Sequence, residues 1–507
     1  MTFDLALPSG LMGALAPDLV LAAGAMVLML AAAWKPESDA HQRRVGFASL
    51  AVLLVTAAVV LVYVVRGAKA GPGGNIAVDG FRWAADLVFL LGAAAAIALG
   101  IESNPRDRIV AAESHVLVLF ATLGMMILAA ARDLMIVFLG VEMMSIAVYV
   151  LAAMNRRSVK AAEGSLKYFL LGAFASAFLL YGIALIYGAT GSTNLAVIGE
   201  RIARFQLAGH AMISLGIGLL LVGFAFKVAA VPFHMWAPDV YESAPTPITA
   251  YMAAAVKAAA LAMFLRVWLE SLNLADAAWL SPLWWVAAVT MVVGNVVALA
   301  QRNIKRLLAY SSIVHGGYLL VAVAAGTSLG SAAFLFYAVA YTLATFGAFA
   351  VVAVMSPPGS TGASISDFDG LWTTRPWLAT GFAVCMLALL GFPIFGGAGF
   401  FAKWYVLQAA ITSPRNLVFL AVVLVLTSVV SAGYYLHVVR VMFMRPRPVG
   451  AAEPPPLTPL TRLVLVGSVG LLLALGLFPS SLADWARSNA AVTPATARSP
   501  LVRGPAD

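Results

Sequence analysis

The chain has 507 residues, of which 62% are hydrophobic and only 10% charged, against roughly 25% charged in soluble domains. Most of it therefore lies in lipid, and a length that would otherwise suggest several soluble domains is read as one membrane bundle. The net charge of +9 does not call for nucleic acid, because Lys and Arg fall in short loops between apolar runs and form no contiguous basic face.

Residues 1–17 contain Asp4 and no Lys or Arg. The basic flank of a cleaved signal peptide is missing, so the first span is expected to stay. Apolar stretches long enough to cross the hydrocarbon core fall at 17–34, 45–66, 83–101, 110–130, 134–154, 164–188, 208–231, 245–270, 279–300, 307–326, 330–355, 376–410, 415–440 and 460–480. That predicts an all-α membrane protein of about fourteen helices in a single polytopic domain over 1–481. The remainder, 482–507, is polar and rich in Pro, Ala and Arg, and is expected to be a loose tail.

The first, third, fifth, ninth and thirteenth connections hold Lys35, Arg43 and Arg44; Arg106 and Arg108; Arg156, Arg157 and Lys160; Arg302, Lys305 and Arg306; and Arg440, Arg445 and Arg447. These odd connections are expected to be cytoplasmic. The even ones are poorer in basic residues, although Arg66, Lys69, Arg201 and Arg204 dilute the contrast. Both termini are then periplasmic.

Two regions break the pattern with proline beside an intramembrane charge. One reads Val231-Pro232-Phe233-His234-Met235-Trp236-Ala237-Pro238-Asp239 and continues to Pro245-Thr246-Pro247. The other reads Gly391-Phe392-Pro393, then Gly396, Gly397 and Gly399 before Lys403. Helices are expected to be interrupted at both, and 376–410 is too long for one straight crossing. Broken helices in corresponding places point to a transporter with inverted repeats, about 110–270 and 279–440.

An ionised group at the centre of a membrane helix costs about 2.5 to 3.5 kcal/mol on insertion scales, so each requires a partner or a function. Four stand out: Glu142, Lys227, Lys257 and Lys403. Glu142 lies in an apolar stretch relieved only by Ser145, and its alternative role is a structural ion pair. Lys227 precedes Pro232 by five residues, roughly 7 Å before the expected interruption. Lys257 lies among alanines that leave room for water or another helix, and Lys403 follows the second break where it would mirror Lys227. The alternative for these lysines is an amine snorkelling to an interface.

Burial in hydrocarbon disfavours an ammonium ion, so a buried lysine can take up and release a proton, whereas a nearby carboxylate stabilises the charged form. At about 4 Å and an effective dielectric of 20, that attraction is on the order of 4 kcal/mol. Bringing Glu142 toward Lys227 would load a proton, and separating them would release it. His234, in the first break, and His315, in a locally polar span, are candidate relays because imidazole titrates near neutral pH. His315 can equally be satisfied by a neighbouring hydroxyl, and His234, in the broken-helix loop, can serve as a relay or a gate. Asp133, Asp239, Glu242, Arg266 and Arg302 read as span-end or loop charges.

Other chemistries are excluded cheaply. Gly216-Ile217-Gly218 lacks the third glycine and a preceding strand, no Walker lysine occurs, and six histidines and one cysteine never take metal-ligand spacing. Cys385 sits in an apolar run and reads as packing. The chain itself is expected to hold no cofactor.

The run Phe226-Lys227-Val228-Ala229-Ala230-Val231-Pro232-Phe233-His234-Met235-Trp236-Ala237-Pro238-Asp239-Val240-Tyr241-Glu242 with Pro245-Thr246-Pro247 resembles the antiporter-like subunits of bacterial NADH:quinone oxidoreductase, respiratory complex I. Its wording, and that of Ala309-Tyr310-Ser311-Ser312-Ile313-Val314-His315-Gly316-Gly317-Tyr318, resembles the N type. The resemblance covers about 80–445 and implies fourteen helices, two inverted five-helix repeats and a proton path through a central charged row. On it, Glu142, Lys227, Lys257 and Lys403 match the family's glutamate, paired lysine, central lysine and terminal lysine. Lysine at 403 argues against the M type, and a chain ending soon after its last span against the L type. Residues 393–399 depart from the shorter, Pro-Pro-containing loop usual in the family.

The resemblance implies flavin mononucleotide, iron–sulfur clusters, NADH and quinone in other subunits. It also implies neighbouring M-type and small membrane subunits as partners, and the bacterial inner membrane as location. The rival functions are a subunit of a related cation/proton antiporter and a non-transporting membrane scaffold.

Overall fold

Helix starts along the chain are set by polar residues between apolar runs. Asp133 and Asn303 cap the helices that follow them by accepting the backbone N–H of Met135 (2.8 Å) and Lys305 (2.9 Å), and Ser158 and Thr327 do the same for Ala161 and Gly330. Such caps satisfy orphan donors that lipid cannot.

The computed structural model describes residues 11–66, 74–357, 363–394, 397–450 and 453–490; Asp4, Lys69, Gly396 and the segment from 491 onward lie outside them. The chain opens with α1 (Ala16–Trp34), α2 (Asp39–Arg66) and α3 (Gly80–Arg106), followed by α4 (Glu113–Ala130), α5 (Leu134–Ala152) and α6 (Val159–Thr190). A short amphipathic α7 (Leu195–Arg204) leads to α8 (Ala211–Lys227), α9 (Trp236–Ser243), α10 (Thr246–Tyr251) and α11 (Lys257–Val267), with π-helical turns at Met252–Val256 and Trp268–Leu272. Then come α12 (Asp276–Leu299), α13 (Ile304–Ala325), α14 (Ser328–Met355), α15 (Pro376–Leu390), α16 (Ala398–Ile411), α17 (Val418–Met444), α18 (Pro459–Leu477) and α19 (Pro479–Asn489).

Among the described residues, eleven segments are long and apolar enough to cross a membrane, while Ala211–Lys227 and Pro376–Leu390 are apolar but shorter. The sequence-based count of about fourteen differs for a simple reason. The stretches 245–270 and 279–300 run together in Thr246–Leu299, and 208–231 and 376–410 are cut short by breaks. The tail from 482, expected to be loose, is helical to Asn489, because Leu482, Ala483 and Ala486 form an apolar stripe that buries itself.

α13 and α14 form the centre of the bundle, with 94% and 83% of their most apolar windows buried, against 22% for α1, α2 and α18. The peripheral helices turn Leu30, Leu54 and Val65 outward, as a surface solvated by lipid requires. Close helix approach uses small residues: a Cβ on Gly124 of α4 would stand 2.6 Å from the Met144 backbone nitrogen of α5.

One local closure occurs twice. Asp133 bridges to Asn194, and Asn303 bridges to Ser364. In the first, Leu134 donates to Thr193 and Leu195 to Arg132; in the second, Ile304 donates to Ala363 and Ile365 to Arg302. Asp133 and Asn303 stand 170 positions apart, as do Asn194 and Ser364. The two breaks separate α8 from α9 and α15 from α16, as a pair of inverted repeats with one broken helix each requires.

Candidate proton-transfer row

α8 ends at Lys227 itself, earlier than the sequence spacing suggests. Proline at 232 has no N–H to donate and cannot sit inside a continuing helix, and Ala229 takes a positive φ of 56°. Lys227 therefore occupies the last position of a half-helix, where a cation meets the negative end of the helix dipole. Its ammonium donates to Ser145 Oγ at 2.7 Å and Tyr149 OH at 3.2 Å.

Glu142 does not form the expected ion pair with Lys227. Its carboxylate accepts a hydrogen bond from Ser176 on α6, and it is half-buried. Ser145, one turn on from Glu142, is the residue that accepts from the lysine instead. The alternative of a structural Glu142 ion pair has no support among the described residues.

Lys257 follows a π-helical turn and is buried, 2% exposed, with Nζ 2.5 Å from both the Ser312 carbonyl oxygen and Ser312 Oγ. The approach depends on Gly316. A Cβ there would stand 3.2 Å from the Val228 carbonyl of the first break and 3.7 Å from Lys257 Nζ. On the 170-residue register, Ser312 occupies the position of Glu142 and His315 that of Ser145. The same helix turn thus carries an acid in one half and a hydroxyl in the other.

His315 is buried, with Nδ1 2.5 Å from Tyr337 OH and Nε2 3.1 Å from Tyr435 OH, and Tyr435 also meets Ser311. A cavity of about 10 Å³, lined by His315, Tyr337, Tyr341, Gly399 and Ala402 among others, is about the size of one water molecule. Beyond it, Tyr318 OH receives a 3.3 Å hydrogen bond from Ser428 Oγ, which in turn accepts one from Lys403 Nζ at 3.3 Å. Lys403 also donates to the Leu390 carbonyl at 2.8 Å and lies 4.8 Å from the Tyr318 ring centroid.

Lys403 does not mirror Lys227 along the chain. Lys227 ends the half-helix before its break, whereas Lys403 lies within the half-helix after its own. His234 is half-exposed in the first break and makes no side-chain hydrogen bond to any of the lysines. The structure therefore gathers Lys257, His315 and Lys403 along α13, sets Lys227 against Ser145 and Tyr149 of α5, and leaves His234 aside.

Asp239 and Glu242 behave as surface charges, paired with Arg306 at 2.7 and 3.1 Å, and Lys167 reaches Asp239 at 3.1 Å. Partial burial pushes the Asp239 carboxyl up, but hydrogen bonds from Arg306 and Lys167 outweigh it and hold it below the usual carboxylate value. Arg266 is a correction: it is 1% exposed and bonds Asp79 and Glu270, each at 2.9 Å. Lys305, placed by sequence in a loop, is equally buried and donates to the Ala244 carbonyl at 2.6 Å. Asp86 lies inside the 83–101 stretch and escaped notice because it stands within a turn of the span's start. Ser145, Tyr149, Ser176 and Tyr435 were missed too, and their only signal was a hydroxyl facing inward on an apolar helix.

A family described as "NADH:quinone oxidoreductase/Mrp antiporter, TM" matches residues 131–431. The chain is 50% identical over 500 residues to NADH-quinone oxidoreductase subunit N of Gemmatimonas aurantiaca, covering 97% of this chain and 96% of that protein. It is 40% identical to the same subunit of Methylobacterium nodulans over 93% of this chain and 95% of that one. A chain of respiratory complex I from Thermus thermophilus superposes with a TM-score of 0.79 at 38% identity, covering 93% of this chain and all of that one. A chain of the Mrp complex from Dietzia shares the fold, with a TM-score of 0.81 at 21% identity over 95% of this chain and 97% of the other. The multi-pass helical architecture, the broken helices and these likenesses agree, and the chain belongs to the NADH-quinone oxidoreductase subunit N family of antiporter-like membrane proteins.

Proposed function

We propose that this chain carries protons across the bacterial inner membrane through Glu142, Lys227, Lys257, His315 and Lys403, driven by electron transfer from NADH to quinone in other subunits. Flavin, iron–sulfur clusters and the NADH and quinone sites belong to those subunits, and M-type and small membrane subunits flank this one. The basic odd connections face the cytoplasm and both termini the periplasm.

One observation carries this reading. Lys227, Lys257 and Lys403 are buried, yet among the described residues each meets hydroxyl or carbonyl oxygens and none meets a carboxylate within ion-pair distance. A lysine locked to a carboxylate would stay charged, and a scaffold would use such pairs to pin helices. Amines held by neutral oxygens keep their partners in either protonation state, as proton carriers must. The hydroxyl and imidazole groups on the Lys257 and Lys403 side, Ser312, His315, Tyr435, Tyr318 and Ser428, can all donate and accept. His234, in the first break, lies off this row and is assigned a gating part at most.

The test is Lys227→Ala in the assembled complex reconstituted in vesicles, with NADH oxidation and proton uptake measured together. Electron transfer should continue and proton translocation should fall to background. Full pumping refutes the role, and a proportional loss of assembly and pumping points to a scaffold. Co-purification with a flavin- and iron–sulfur-bearing assembly distinguishes the complex I role from that of a membrane-only antiporter.

A further inference from the structure

At the end of the bundle where α3 begins, buried charges gather away from the lysine row. Asp79, Arg266, Glu270 and Arg132 form one set, linked by contacts of 2.9 Å from Arg266 to Asp79 and to Glu270 and of 3.2 Å from Arg132 to Glu270. Its two cations balance its two carboxylates. Deeper in, Asp18 of α1 and Asp86 of α3 share, among the described residues, a single ion-pair cation, Arg82, whose side chain and that of Asp86 are wholly buried while that of Asp18 is 6% exposed.

This triad does not balance. A guanidinium is always charged, so two ionised carboxylates leave one uncompensated negative charge out of water, a cost proteins relieve by binding a proton. The hydrogen bonding says which carboxyl takes it. Asp18 accepts a direct charge-assisted bond from Arg82 Nη2, while Nη1 serves the carbonyls of Ala14 and Ala77 at 2.9 and 2.8 Å. Asp86 is 3.6 Å from Arg82 Nε, and among the described residues neither of its oxygens has a hydrogen-bond donor. The other charges acting on it are Asp18, Arg266 and Asp79.

The position of Asp86 links it to the lysine row. Gly92, six residues on and so about 9 Å along the helix, abuts Ala255, since a Cβ on it would stand 2.8 Å from the Ala255 Cβ. Ala255 lies two residues before Lys257. The same Gly92 faces Phe346 of α14. One turn before Phe346, Thr342 is buried with a hydroxyl that has no hydrogen-bond partner among the described residues.

We propose that Asp86 is a carboxylic acid that holds a proton within the membrane and exchanges it, as a site additional to the lysine row, on the helix packed against the Lys257 segment. The exchange, though not the protonated state, rests on the proton-transfer function proposed above.

The test uses the assembled complex. Infrared spectra of wild type should contain a buried carboxylic-acid carbonyl band that Asp86→Asn removes, and Asp86→Asn should lower the protons moved per electron at an unchanged rate of NADH oxidation. Asp86→Glu, which keeps a titratable group in place, should restore both. A band that survives Asp86→Asn, a wild-type proton ratio in that variant, or an assembled Asp86→Glu complex lacking the band overturns the proposal. A Lys257→Ala complex that pumps normally while retaining the band would instead sink the lysine row and leave the protonated Asp86 standing.

Discussion

Lys403 donates to the carbonyl of Leu390 over 2.8 Å, so a lysine carried by the half-helix after the break sits on the last residue of the half-helix before it. Lys227 reaches the equivalent place by being the last residue of its own half-helix. Each broken helix thus ends on a cation, which the carbonyls there favour, although the two lysines come from opposite sides of their breaks.

Lys403→Met keeps the stem and removes the charge, leaving the Leu390 carbonyl without its donor. Proton translocation should be lost, and the variant should be less stable by about 1–3 kcal/mol, the cost of an unsatisfied buried polar group. Proton uptake by reconstituted complex and the Tm of the purified assembly measure the two effects separately.

Ser312→Ala removes one of the two acceptors of Lys257 and keeps the other, the backbone carbonyl. The expected result is slowed but measurable proton translocation with normal assembly, in contrast to full loss in Lys257→Ala. Equal loss in both variants would mean that the hydroxyl, and not merely the amine, is indispensable.

The N-terminus of α18 is capped from another helix. Glu102 accepts the backbone N–H groups of Leu460 and Thr461 at 2.9 and 2.8 Å, and the hydroxyls of Thr461 and Thr458. A carboxylate suits the positive end of a helix, and capping residues contribute roughly 0.5–2 kcal/mol. Glu102→Ala should lower Tm correspondingly without changing proton translocation in the assembled fraction, as thermal denaturation and vesicle assays would report.

Asp239 supplies a pH test with a definite sign. Because its folded value is depressed by Arg306 and Lys167, its contribution is fully present above the ordinary carboxylate value near about 3.9 and is lost as pH falls through the lower folded value. The pair is partly exposed and worth roughly 0.2–1 kcal/mol at most. The Tm difference between wild type and Asp239→Asn should therefore be small and constant from neutral pH to about pH 5, and close only in stronger acid.

Composition and hydropathy by themselves determined which stretches enter lipid, because a helix must satisfy its own backbone there and needs a long apolar run to do so. Pro232 and Gly391 announced the two breaks, since the lost N–H and the positive φ are local properties, and Glu142, Lys227, Lys257 and Lys403 were conspicuous as charges in apolar surroundings. What each charge faces was decided by the tertiary structure alone. Glu142 meets Ser176, and Lys257 meets Ser312, while Arg82 meets Asp18 from 64 positions away. Arg266 and Lys305 read as loop residues yet are buried, and Asp86 carries no local sign of having no donor. The reason is physical: helix periodicity fixes which face of a segment turns inward, but the partner of a buried polar group comes from whichever helix packs against that face, and only the assembled bundle specifies it.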